Sequence, residues 1–170
     1  LSVKNPDWVM ITYEDDSPVA TVTYETGYSY GTPLPSATPT PTTGPWSDTD
    51  AYGYTGNAPV TYSWIDATGG TNTGIADDDG YSDVSIPFDF RFYGQIYNSA
   101  RISANGYLTF GENGWAFENT GLPWQDDPNE GIYPFWDDLD PSQGGSIYTI
   151  TTGTTPNRQF IVEWNQIPFR

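Results

Sequence analysis

The amino-acid sequence predicts an all-β fold: an antiparallel β-sandwich that carries an N-terminal β-hairpin and a Pro/Thr linker. Three observations lead there. Aromatic residues make up 16% of the 170 positions, with thirteen Tyr and seven Trp, and such side chains favour pleated, half-buried surfaces. The chain is punctuated by 18 Gly and 15 Pro, which leaves frequent turns and little room for long helices. Several runs alternate apolar and polar residues with a period of two, the mark of a strand with one face in a core.

Three zones follow one another. Residues 1–31 contain two β-rich runs, 8–13 and 19–24, around Glu14-Asp15-Asp16-Ser17-Pro18, and this reads as a hairpin. Two strands alone are marginal in water, so the hairpin has to dock on a sheet. Trp8, Val9, Ile11, Tyr13, Val19, Val22 and Tyr24 are the residues expected to carry that strand addition. Residues 32–45, TPLPSATPTPTTGP, disfavour helix and offer no core. They suit an extended, polyproline II-like linker of about 43 Å at roughly 3.1 Å per residue. Thr38, Thr40, Thr42 and Thr43 are candidates for O-glycosylation, whereas no Asn-x-Ser/Thr sequon occurs.

The sandwich domain is assigned to residues 46–170, with strand candidates at 60–65, 84–93, 100–104, 107–111, 146–152 and 159–167. Ile86, Phe88, Phe90 and Phe92 share one face of the second. In the last, Phe160, Val162 and Trp164 alternate with Ile161, Glu163 and Asn165, which places the first set in the core and the second outside. Asn105-Gly106 between two such runs suggests a two-residue type I′ turn, in which both positions need φ > 0. Residues 152–157 supply a longer turn before the last strand.

Charge and composition exclude several functions. Five Lys and Arg face 22 Asp and Glu, a net charge of −17. Such a surface repels nucleic-acid phosphates and anionic lipid headgroups and attracts cations. Cys and His are both absent, which removes disulfides, thiolate chemistry, Ser-His-Asp triads and His-based zinc sites. No apolar run approaches the ~18 residues that span a bilayer. The chain begins at Leu1 with no leader pattern, which fits a processed form or a fragment of a secreted protein.

From Tyr62 onward four stretches carry a resemblance: IPFDFRFYG (86–94), SANGYLTFG (103–111), IYPFWDDLDP (132–141) and PNRQFIVEWN (156–165). Their order and spacing resemble a family of extracellular β-sandwich modules found in bacterial surface proteins and beside secreted subtilisin-like proteases. The resemblance implies an extracellular sandwich without implying one chemistry, since one fold hosts many functions. The family pattern normally continues with further strands after the position of Trp164-Asn165. Here a spare hairpin stands at the N-terminal end instead.

Two acidic constellations are candidate calcium ligands, because calcium takes six to eight oxygens, often from Gly-bearing loops. One is Asp77, Asp78, Asp79 and Asp83 around Gly80; the other is Asp137, Asp138 and Asp140 among large apolar residues, with Asp126-Asp127 as further contributors if the loops converge. The alternative is a solvated loop for the first and carboxylates that fix a turn for the second. Trp115, Phe117 and Trp124 lie in a Gly-, Asn- and Pro-rich stretch and are candidates for stacking on a glycan, for closing the end of the core or for forming a protein interface. No motif selects a catalytic carboxylate pair. The expectation is a non-enzymatic structural or adhesive protein of the cell surface, assembling with itself head-to-tail by strand addition. The alternative is a calcium-stabilised, carbohydrate- or protein-binding accessory module of a larger secreted enzyme.

Overall fold

The computed structural model describes residues 8–13, 20–24, 46–58, 64–123, 126 and 128–170, with 8–13, 20–24, 46–49 and 55–58 given by their backbone. The linker with Thr38, Thr40, Thr42 and Thr43, the turn at 14–18, Val19, residues 60–63, Trp124 and Asp127 lie outside the described residues.

Period-two alternation builds the first sheet. Strand β6 (Tyr81–Phe92) points Ile86, Phe88 and Phe90 inward and Ser85, Asp89 and Arg91 outward, as the sequence predicts. It pairs with β7 (Gln95–Ser103), and the sheet continues through β8 (Leu108–Thr109) and β9 (Gly131–Ile132) in the order β6-β7-β8-β9. The β6–β7 register breaks between Ser85 and Phe90. Pro87 lies inside that break and has no N–H to give to a ladder. Asn98 crosses the irregular stretch, donating from Nδ2 to the Phe88 carbonyl at 3.3 Å and to Asp89 at 2.7 Å.

The facing sheet contains β5 (Thr71–Asn72), β10 (Ser146–Thr152) and β11 (Gln159–Asn165). The N-terminal hairpin extends it. Strand β1 (Trp8–Tyr13) pairs antiparallel with β11, from Trp8 opposite Trp164 to Tyr13 opposite Gln159. Strand β2 (Ala20–Tyr24) lies outside β1, so the order is β2-β1-β11-β10-β5. The hairpin therefore docks on a strand edge of its own chain. Between the sheets Ile86, Phe88, Phe90, Ile102, Leu108, Ile147, Phe160, Val162 and Trp164 form one core. The Trp164 indole N–H crosses the gap to the Ser103 carbonyl at 2.8 Å, which satisfies the polar atom of the largest buried side chain. The architecture is a β-sandwich.

Two expectations need correction. The second face of β11 is not exposed: Ile161 and Glu163 are as buried as Val162 and Trp164. Trp64, Ile65 and Ala67 cover that face, packing on Ile161 and on its cross-strand neighbours Tyr148 and Ile150 of β10. Asn105-Gly106 is also not a type I′ turn. Gly106 takes φ +75°, but Asn105 does not take positive φ and is fully buried.

A second hairpin, β3 (Trp46–Thr49) and β4 (Thr55–Ala58), is closed by Asp50. One carboxylate oxygen accepts the N–H groups of Tyr52, Gly53 and Tyr54 at 3.0, 2.7 and 2.8 Å. The other accepts the Tyr93 hydroxyl at 2.6 Å, and the Tyr93 N–H donates to the Tyr54 hydroxyl at 3.0 Å. These bonds fasten the hairpin tip to the β6–β7 turn.

Candidate metal centre

The loops that hold the two acidic constellations meet at one end of the sandwich. Residues 77–80 form a tight turn in which the Gly80 N–H reaches the Asp77 carbonyl at 3.1 Å, and it precedes β6 directly. Residues 137–140 lead into a short 3₁₀ turn, Pro141–Gln143. Asn105 joins them. Its Nδ2 donates to Asp79 at 3.0 Å, its Oδ1 accepts the Leu139 N–H at 2.9 Å, and its carbonyl accepts the Asp137 N–H at 3.3 Å. A buried amide with every group engaged gives a rigid junction.

Asp78, Asp79 and Asp138 converge there, each offering one carboxylate oxygen within 4.8 Å of the others. Asp78 Oδ1 and Asp138 Oδ1 are shielded from solvent and have no hydrogen-bond partner. Burial pushes the Asp138 carboxyl above its ordinary range, and the charges of Asp78 and Asp79 push it the same way. Carboxylates left this way are costly unless a cation or a proton joins them. A hard, all-oxygen donor set suits calcium or magnesium better than a soft metal, so these three residues would fit a divalent cation and supply part of its shell. The Arg170 guanidinium reaches Asp78 from the C-terminal segment, and the Arg170 N–H donates to the Asp138 carbonyl at 3.1 Å. Arg170 is thus a tethered monovalent counter-charge at the same carboxylates.

The other candidate ligands go elsewhere. Asp83 pairs with Arg101, Nε to Oδ1 at 2.7 Å and Nη2 to Oδ2 at 2.9 Å, and that bond holds its carboxyl below the usual range. Asp140 caps the 3₁₀ turn through the Ser142 N–H at 2.9 Å, and the Ser142 hydroxyl, helped by that N–H, holds its carboxyl below the usual range. Asp137 accepts the Asp138 N–H at 2.9 Å. Asp77 is exposed on the turn, and so is Asp126. Sequence reasoning read Asn105 only as a turn residue and missed its part in the junction. Its partners lie 26 and 34 positions away, and no local pattern announces such bonds.

Glu163 is a second buried carboxylate with the opposite surroundings. It is 1% exposed, accepts the Ala67 N–H at 2.6 Å and the Asn165 amide at 2.9 Å, and clamps the 64–67 segment over β11. Of the aromatic candidates, Trp115 and Phe117 are exposed beside a groove, and the 113–117 loop is held by Tyr107, Asn113 and Trp136.

A sandwich of Phe- and Trp-rich strands, with acidic loops tied together at one end by a buried Asn, describes an all-β module. The chain belongs to the NIDO-related family, whose model matches residues 51–170. The match starts after β1, β2 and β3, so the hairpin that widens the sheet stands outside it. No curated protein and no solved structure matches the chain.

Proposed function

We propose that this protein is a non-enzymatic, extracellular structural or adhesive protein of the cell surface, and that its subunits join head-to-tail by exchanging the N-terminal hairpin. The observation that carries the reading is the β1–β11 pairing. The hairpin supplies a full six-residue ladder to β11, yet only residues 25–45 connect it to the rest of the chain. Those 21 residues reach about 65 Å if extended as polyproline II. Any neighbour's hairpin meets the same edge in the same register, so exchange keeps every contact and adds a link between subunits. A head-to-tail contact that does not close gives a filament. Asp78, Asp79 and Asp138 add a calcium site that stiffens the opposite loops, and sugars on Thr38, Thr40, Thr42 and Thr43 shield the connecting segment. The accessory-module reading rests on the same cation site and on the Trp115 groove.

A disulfide trap tests the exchange. The chain has no Cys, and Tyr13 sits opposite Gln159 in the register. With Tyr13→Cys and Gln159→Cys together, oxidation at high protein concentration should yield a ladder of covalent oligomers on a non-reducing gel. A single internally crosslinked monomer at every concentration would overturn exchange and leave the hairpin as an edge of its own domain.

A further inference from the structure

Trp115 and Phe117 are 51% and 42% exposed, although the loop that carries them is fixed from below. Asn113 Oδ1 accepts the N–H groups of Trp115 at 3.1 Å and Ala116 at 3.2 Å. The Ala116 N–H also reaches the hydroxyl of buried Tyr107 at 3.1 Å, and the Ala116 carbonyl accepts the Trp136 indole N–H at 3.0 Å. Asn119 donates to the Trp136 carbonyl at 3.2 Å. The Trp115 ring leans on Tyr81, centroids 6.1 Å apart, and Tyr81 in turn lies under the Arg101 guanidinium. Tyr107 and Trp136 already close the core at this end. Rings held rigidly in water beyond a closed core form a prepared surface rather than a seal.

The two rings flank a groove of about 240 Å³, with Trp136 and Pro128 in its wall and Glu118 and Thr120 as its polar residues among those described. That volume is smaller than the ~300–1,000 Å³ of enclosed small-molecule sites and suits one ring of a longer ligand. The polar groups decide the ligand class. A carboxylate only accepts hydrogen bonds, so the groove calls for a ligand rich in donors, such as sugar hydroxyls. A Pro-rich peptide has few N–H groups, since proline has none, and so leaves the Glu118 carboxylate without a donor. An anionic ligand is repelled, since residues 111–130 hold Glu112, Glu118, Asp126, Asp127 and Glu130 and no Lys or Arg, and the nearby Arg101 is already paired with Asp83.

We propose that this groove binds a neutral glycan, one pyranose ring stacking on Trp115 with its hydroxyls bonded to Glu118 and Thr120. The site is independent of hairpin exchange and would give the protein its adhesive contact.

Affinity electrophoresis of the full chain, in gels containing dextran, laminarin or yeast mannan, tests this. At least one of these neutral polysaccharides should retard the protein. Trp115→Ala should weaken the retardation about tenfold, as expected for the loss of one stacking contact, and Trp115→Tyr should recover part of it. Because Trp115 is exposed, the thermal melt of both variants should match the parent, which separates lost binding from lost fold. Retardation unchanged in Trp115→Ala overturns the proposal. So does retardation by none of the three polysaccharides, or only by anionic heparin. Binding of a synthetic peptide of residues 32–45 to the parent but not to Trp115→Ala would assign the groove to a Pro-rich segment instead. Running the Tyr13→Cys/Gln159→Cys chain oxidised at low protein concentration, where each hairpin closes on its own domain, alongside keeps this result separate from that of exchange.

Discussion

Two carboxylate sites in this sandwich have opposite surroundings. Glu163, beneath the second face of β11, is more deeply buried, yet hydrogen-bond donors meet it from Ala67 and Asn165. Asp138, at the loop junction, is only half-buried, yet it faces Asp78 and Asp79 and keeps an oxygen with no partner. Depth alone does not decide what a carboxylate is for. A charge supplied with donors is a structural clamp, while a charge set among other charges waits for a cation or a proton.

The strongest way to break this contrast is to remove the clamp. Glu163→Ala should cost about 3 kcal/mol in chemical denaturation, the scale of losing charged hydrogen bonds and leaving a buried N–H unsatisfied. Glu163→Gln should recover only part of that, since its amide nitrogen cannot accept from Asn165. A loss below about 1 kcal/mol for the Ala variant would mean that the 64–67 segment is held by packing alone.

Calcium titration sharpens the other side. Calcium at a hundredfold excess over its Kd should raise stability by about 2.7 kcal/mol, read as a rise in Tm that EGTA reverses. Asp138→Asn should abolish the response. The same variant without calcium should be at least as stable as the parent, because it removes one of three facing charges. A parent that melts at the same temperature with calcium, magnesium or EGTA would remove the cation from the proposal.

Arg170 offers a smaller effect. Its guanidinium is largely exposed, so Arg170→Ala should change stability by less than about 1 kcal/mol. It should nevertheless tighten calcium binding in calorimetry, since a competing positive charge leaves Asp78. Unchanged or weaker calcium affinity would show that Arg170 does not compete.

The smallest expected effect lies on the alkaline side, at the β3–β4 hairpin tip. Bonding to Asp50 raises the Tyr93 hydroxyl from the usual 10.0 to about 12. A raised folded-state pKa contributes stability that is present below pH 10 and lost as pH climbs through 12. Tyrosinate absorbance should show a late-titrating fraction, shared with Tyr97 and Tyr107, that shrinks in Tyr93→Phe and moves to lower pH in Asp50→Asn. If Asp50→Asn leaves that titration unchanged, the bond to Asp50 is not what raises it.

Sequence alone was enough for the all-β class, for the inward row of Ile86, Phe88 and Phe90, for the limits of the 146–152 strand, and for two N-terminal strands that had to dock. Each of these rests on neighbours within a few positions, where a period of two and the turn chemistry of Gly and Pro decide the outcome. The acidic runs were legible as cation-seeking, but not which of their members meet. Asp83 turned to Arg101, Asp140 to its own turn, and only Asp78, Asp79 and Asp138 converged. The same limit explains Asn105 and Glu163: a turn motif became a buried junction, and an expected surface carboxylate became a clamp. The partners that decide this, Asp79 and Leu139 for Asn105 and Ala67 for Glu163, lie 26, 34 and 96 positions away. Alternation tells a strand's two faces apart, but whether the second face meets water or another layer depends on where the rest of the chain returns, and tertiary packing alone decides that.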